Sequence, residues 1–189
     1  MPGPALARPS AICISRAMTI TIRPARFPAE TDSVRHLFRL YAEGLGLDLG
    51  FQDFEAELAA LPGKYAPPAG ATLLAERSDG LVLGCVAMRP HDGPTCEMKR
   101  LFLRPEARGL GLGHKLAQAI IQSARDVGYR RMVLDTLATM QGALAVYRGL
   151  GFQPIPPYYH NPLEGVVFMA LDLAPAYQRT VMRPSRTGA

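Results

Sequence analysis

Arg108-Gly109-Leu110-Gly111-Leu112-Gly113 sits between two periodic segments. Before it, Cys96-Glu97-Met98-Lys99-Arg100-Leu101-Phe102-Leu103 reads as a strand. After it, His114-Lys115-Leu116-Ala117-Gln118-Ala119-Ile120-Ile121 reads as the opening of a helix. A glycine-rich turn feeding a helix N-terminus leaves several backbone N–H groups without partners, and the helix dipole adds partial positive charge there. A phosphate or pyrophosphate suits such a place. Glycine lets the backbone approach a ligand closely, and Arg108 can add a charge-assisted hydrogen bond. Two familiar phosphate motifs do not fit. A P-loop ends Gly-Lys-Ser/Thr, whereas this loop runs into Gly113-His114-Lys115. The dinucleotide fingerprint has GxGxxG early in a βαβ unit, and here GxGxG lies deep in the chain.

The spacing that fits is Arg-x-x-Gly-x-Gly, preceded by the strand exit Leu103-Arg104-Pro105-Glu106. It resembles the acetyl-CoA signature of the GNAT superfamily of N-acetyltransferases. A later segment, Ala143-Leu144-Ala145-Val146-Tyr147-Arg148-Gly149-Leu150-Gly151-Phe152, is similar to that family's tyrosine-bearing helix closing on Gly-Phe. The two blocks stand in the family order, and the resemblance covers residues 18–173. It implies a single α/β (α+β) domain with one mixed, mostly antiparallel central sheet flanked by helices.

The ends of the chain carry its charge excess. The formal charge is +5, and Arg8, Arg16, Arg179, Arg183 and Arg186 account for it. Residues 18–173 hold 16 basic and 16 acidic side chains, so the domain is formally neutral and lacks the net basic charge of a nucleic-acid-binding fold. No apolar run approaches the ~20 residues of a membrane span. Residues 1–17 are too sparsely apolar for a signal peptide and read as a flexible N-terminal extension; residues 174–189 read as a flexible tail. Cytoplasmic residence is the simplest expectation. Cys13, Cys85 and Cys96 show neither disulfide-framework nor zinc spacing, so no metal is expected. Cys85 and Cys96 could pair only if neighbouring strands set them side by side.

Coarse patterning gives a strand at Thr19–Arg23, helices at Ala29–Leu45 and Phe51–Leu61, and a hairpin of Ala71–Arg77 with Leu81–Arg89 around Ser78-Asp79-Gly80. A strand at Thr95–Leu103 and a helix ending at Gly128 follow. Then come a strand at Arg131–Thr136, a helix at Met140–Leu150, and last strands at Pro154–Tyr159 and Val166–Leu173.

The resemblance assigns acetyl-CoA as co-substrate to Leu101, Phe102, Leu103, Arg108, Gly109, Leu110, Gly111, Leu112, Gly113, His114 and Tyr147. The pantetheine arm is expected at a splay between the strand of Glu97–Leu103 and the strand around Leu134-Asp135-Thr136. Tyr147 is the implied hydrogen-bond or proton donor to the departing thiolate; the alternative is a core tyrosine beside Leu144, Val146 and Leu150. Glu97 is the candidate general base, with strand parity placing it on one face with Lys99, Leu101 and Leu103. Its alternative is a salt bridge to Lys99 or Arg100, and His91 and His160 are other bases to weigh. Tyr158 and Tyr159, in Pro156-Pro157-Tyr158-Tyr159-His160-Asn161-Pro162, are expected in the acceptor pocket. Glu43 and Asp48, in the segment Tyr41–Phe51, are candidates to meet a cationic amine.

The expected activity is acetyl transfer to a primary amine of a small molecule by direct attack in a ternary complex. The alternatives are a non-catalytic acyl-CoA-binding regulatory domain and an acetyltransferase of protein amines. No nucleic-acid or membrane partner is expected, and a homodimer is the prior that the family supplies.

Overall fold

The structure, a computed structural model, describes residues 18–46 and 53–173. In chain order the elements are β1 (Ile20–Pro24), α1 (Thr31–Leu45), α2 (Phe54–Ala59), β2 (Ala71–Arg77), β3 (Val82–Asp92) and β4 (Thr95–Leu103). There follow α3 (Leu112–Val127), β5 (Arg131–Leu137), α4 (Gln141–Gly149), β6 (Gln153–Pro154) and β7 (Val166–Asp172). The two expected flexible ends and Asp48 lie outside the described residues. The strands form one sheet in the order β1-β2-β3-β4-β5-β7-β6. Every pairing is antiparallel except β4 with β5, so the sheet is mixed and mostly antiparallel, as expected.

Each face of the sheet has its own core. Helix α3 presents Leu116, Ala117, Ile120, Ile121 and Ala124 at helical spacing, and these pack on Leu73, Val86, Met88, Met98, Met132 and Leu134. Helices α1 and α2 cover the other face with Val34, Leu37, Phe38, Phe54 and Leu58 against Leu74, Cys85 and Ala87. Full burial of each large aliphatic side chain is worth roughly 1.5–3 kcal/mol, so both helical layers are held mainly by these stripes.

Three expectations need correction. The helix expected over Phe51–Leu61 is one of six residues, Phe54–Ala59, followed by a separate 3₁₀ turn at Gly63–Tyr65. The strand expected over Pro154–Tyr159 pairs only through Gln153 and Pro154, with one more bond from Ile155 N–H to the Phe168 carbonyl. Pro156 and Pro157 have no N–H to donate, so the ladder stops there.

The third correction is a change of face within β4. The pairing of β3 with β4 shifts register between Cys85↔Phe102 and Ala87↔Lys99. Arg100 occupies the shift with φ 58, a left-handed conformation that non-glycine residues rarely adopt. Cys96 and Met98 face α3 before the bulge, and Leu101 and Leu103 face α3 after it, while Phe102 packs on the α1–α2 side. Glu97 therefore does not share a face with Leu101 and Leu103. The same bulge turns β4 away from β5. Their parallel pairing covers only Thr95↔Arg131, Cys96↔Met132 and Glu97↔Val133, although both strands continue beyond it.

Candidate active site

The splay opens into a cleft of about 700 Å³. Its walls include Leu101, Phe102 and Leu103 of β4, the loop residues Arg108, Gly109 and Gly111, the start of α3 at Leu112, Gly113 and His114, and Gln141 to Ala143 of α4. Of the expected cofactor residues, Leu110 projects into solvent at the crest of the loop, 55% exposed, and Tyr147 lies deeper. Helix α3 begins at Leu112, two residues before His114, with Gly111 as its N-cap.

The loop has a backbone geometry that can meet an anion. Gly109 and Gly111 have φ 78 and 70, and a Cβ on either would meet nothing within 4 Å. Glycine is thus required by conformation rather than by packing, and the space above the backbone is open. No side chain caps α3, and its first turn holds no acidic residue. The residues at the head of the helix line the cleft, and a helix N-terminus carries N–H groups without intrahelical partners and partial positive charge.

At the vertex of the splay the cleft narrows to a pocket of about 20 Å³, bordered by Tyr41, Leu101, Asp135, Thr136, Met140 and Tyr147. Tyr41, Leu101 and Met140 line both spaces, so the two adjoin. Tyr147 is 7% exposed and its ring packs edge-on against Phe152, 5.7 Å between centroids. Burial raises its pKa, so the phenol stays protonated through the physiological range. Its hydroxyl has no hydrogen bond among the described residues, while its ring belongs to the α3-side core.

Glu97 is 2% exposed, and both carboxylate oxygens are engaged. Arg89 Nε donates to Oε2 at 2.8 Å and Tyr158 Oη donates to Oε1 at 2.9 Å. Lys99 Nζ lies 3.7 Å from Oε1. The ion-pair alternative is therefore the arrangement present, with Arg89 as the close partner. Arg100 pairs elsewhere, donating from Nε and Nη2 to the two oxygens of Glu57 at 2.8 and 3.0 Å.

Sequence reasoning missed the role of Asp135. Lys99 Nζ donates to its Oδ1 at 2.9 Å; Tyr159 Oη and Asn161 Nδ2 donate to its Oδ2 at 2.9 and 3.3 Å. Burial alone would raise the Asp135 pKa, but the Lys99 charge and the bonds from Lys99 and Tyr159 outweigh it and hold the pKa below the usual carboxylate value. The full set forms an alternating chain of buried and partly buried charges: Arg100–Glu57–Arg89–Glu97–Lys99–Asp135. The signal available in the sequence was two charges, Lys99 and Arg100, inside the apolar run Met98–Leu103 and one, Asp135, inside Met132–Thr136.

Tyr158 and Tyr159 are thus brought onto the two carboxylates and also pack on Phe168. His91 is exposed and packs edge-on against Tyr158, and His160 is exposed. Glu43 is exposed on α1 and does not line the cleft. Cys85 and Cys96 face opposite cores and are free, and burial pushes both thiols up to about 12. No cluster of metal-ligating side chains occurs among the described residues.

Comparison with known proteins agrees with this architecture. The model of the acetyltransferase (GNAT) family matches residues 31–152. A Schizosaccharomyces pombe protein described as an uncharacterized N-acetyltransferase is 46% identical over 156 residues, covering 82% of this chain and 96% of that protein. A GNAT-family acetyltransferase structure from Staphylococcus aureus superposes with a TM-score of 0.69 at 18% identity, covering 82% of this chain and all of that one. The structure of yncA from Salmonella typhimurium, determined with its cofactor acetyl-CoA, has a TM-score of 0.57 at 22% identity over 83% of this chain and 95% of that one.

Proposed function

The chain belongs to the GNAT acetyltransferase family, and from that premise we propose that it moves an acetyl group from acetyl-CoA to a primary amine of a small molecule, by direct attack in a ternary complex. The observation that carries the reading is the cleft at the β4–β5 splay. It joins a glycine-led helix N-terminus to a buried vertex where the Tyr147 phenol has no hydrogen bond among the described residues.

Acetyl-CoA supplies the acyl thioester. The chain supplies the rest. Backbone N–H groups of the Gly109–Gly113 loop and the head of α3 hold the pyrophosphate, with Arg108 and His114 at its edge. Beyond the bulge, β4 offers the backbone of Leu101–Leu103 as a strand edge to the pantetheine amides. Tyr147 would donate a hydrogen bond to the leaving sulfur; its raised pKa keeps the phenol protonated, so it steadies the thiolate without giving up its proton, and the proton released by the attacking amine is the one that makes the free thiol. The acceptor wall is formed by Tyr158, Tyr159 and the carboxylates behind them. Glu97 anchors that wall. Taking a proton directly would cost it one of two hydrogen bonds, at 2.8 and 2.9 Å. Buried thiols at about 12 are poor nucleophiles, which favours direct transfer over an acetyl-cysteine intermediate. A cytoplasmic setting is part of this reading; no helix among the described residues is long and apolar enough to cross a membrane.

The test is calorimetric titration with acetyl-CoA and CoA, followed by thiol release against a panel of amines and amino acids. Binding with amine-dependent release supports the reading. Binding without release on any amine favours the acyl-CoA-binding alternative or a protein acceptor. Absence of binding removes the assignment of the Arg108–Gly113 loop.

A further inference from the structure

The backbone ladder between β4 and β5 ends at Glu97↔Val133. Two residues further along each strand stand Lys99 and Asp135, and their side chains meet at 2.9 Å. A side-chain ion pair thus takes over where main-chain pairing stops. Both side chains are buried, 6% and 11% exposed, and both border the vertex pocket. The second oxygen of Asp135 receives Tyr159 and Asn161, and Asn161 Nδ2 also donates to Tyr159 Oη at 2.9 Å. Neither Tyr159 nor Asn161 lines the cleft or its vertex.

We propose that Lys99 and Asp135 form a clasp that fixes the opening between β4 and β5, and that Asp135, through Tyr159 and Asn161, couples the acceptor turn to the cofactor cleft. Both are positioning residues: they set where the two strand edges stand. The physical argument is one of constraint. Two parallel strands beyond their last ladder bond are free to close or spread, and a bulge on one of them favours spreading. A short, buried, charge-assisted bond fixes one separation at that point. The turn carrying Tyr159 and Asn161 has no ladder of its own beyond Ile155, so hydrogen bonds to Asp135 are among its few polar ties to the sheet. An acceptor that shifts this turn alters the bonding of Asp135, and hence the strand edges that hold the donor. Linkage makes the effect mutual.

This inference rests on the reading of the cleft as a CoA site. The experiment is calorimetric measurement of the CoA dissociation constant for the wild type, Asp135→Asn, Lys99→Met, the double variant and Tyr159→Phe, with thermal unfolding run alongside. Each of Asp135→Asn and Lys99→Met is expected to weaken CoA binding by about fivefold or more. In the double variant the clasp is already absent after either change, so its loss is expected to equal about that of one single variant rather than the sum of the two. Tyr159→Phe, which takes one hydroxyl from a residue outside the cleft, is expected to weaken CoA binding about twofold to fivefold. It also keeps the idea testable if a charge variant fails to fold. Unchanged CoA affinity in Tyr159→Phe, or additive losses in the double variant, overturns the clasp while leaving the cofactor site standing. A wild type that binds no CoA removes the cofactor reading and the clasp together.

Discussion

Replacing Glu57 with Gln tests whether the β4 bulge is held from the α1–α2 face. Arg100 at the bulge has a side chain 1% exposed, and Glu57 is 11% exposed. The guanidinium makes two bonds to Glu57 and lies 4.9 Å from the Phe54 ring centroid and 5.5 Å from that of Tyr41. Arg89 approaches the same carboxylate at 3.8 Å. Gln keeps the shape and one acceptor oxygen but removes the negative charge from between two cations. Removing one partner of a buried pair costs about 3–5 kcal/mol, and a retained neutral hydrogen bond returns about 1. The net loss is about 2–4 kcal/mol, a large part of the ~5–15 kcal/mol stability of a domain. With a urea m-value near ~2 kcal/mol/M, the midpoint of urea unfolding should fall by about 1–2 M at unchanged slope. The double replacement Glu57→Leu with Arg100→Met removes both charges and should lie much nearer the wild type. A midpoint shift below about 0.3 M for Glu57→Gln would show that the pair does not hold the bulge and would refute the argument.

Tyr147→Phe should lower kcat by about 10²-fold with CoA affinity unchanged in calorimetry; equal turnover would take the phenol out of the reaction. Asp135 has a folded pKa below its unfolded value of ~3.9, so the stability that its ionisation contributes is present above that value and is lost as pH falls through the lower folded pKa. Urea midpoints should therefore be insensitive to Asp135 from pH 7 to about pH 5 and decline below about pH 4, with a shallower acid decline in Asp135→Asn; parallel declines would contradict the sign. With both thiols pushed up to about 12, Cys85 and Cys96 should resist iodoacetamide in the folded protein at pH 8 and react in urea, as read by peptide mass mapping. Native-state labelling of Cys96 would reopen a covalent route.

Local signals made the loop-and-helix side of the cleft legible. Glycines at 109 and 111, a helix with five apolar residues on one face, and Gly128 at its end act within a few residues of themselves, so the loop and α3 can be read from a short window. The charged network and the turn of Tyr158 and Tyr159 depend on partners far apart in sequence. Arg100 meets Glu57 across 43 residues, Lys99 meets Asp135 across 36, and Tyr158 meets Glu97 across 61. No pattern within one segment encodes those meetings; all that shows locally is a charge where alternation calls for an apolar residue.

The bulge at Arg100 compounds this. Period-2 alternation assumes that every residue advances the strand by one step, and a single left-handed residue breaks the count. Read without the bulge, Glu97 falls on one face with Leu101 and Leu103 and looks like a carboxylate beside the cofactor. With the bulge in place it faces α1, α2 and the Tyr158 turn, where Arg89 occupies it. The two residues that make this difference are charged, Lys99 and Arg100, and each is held by a carboxylate from another element. Such charges would otherwise carry the full penalty of burial, so the same ion pairs that escape a local reading keep the bulge in place and the cleft open.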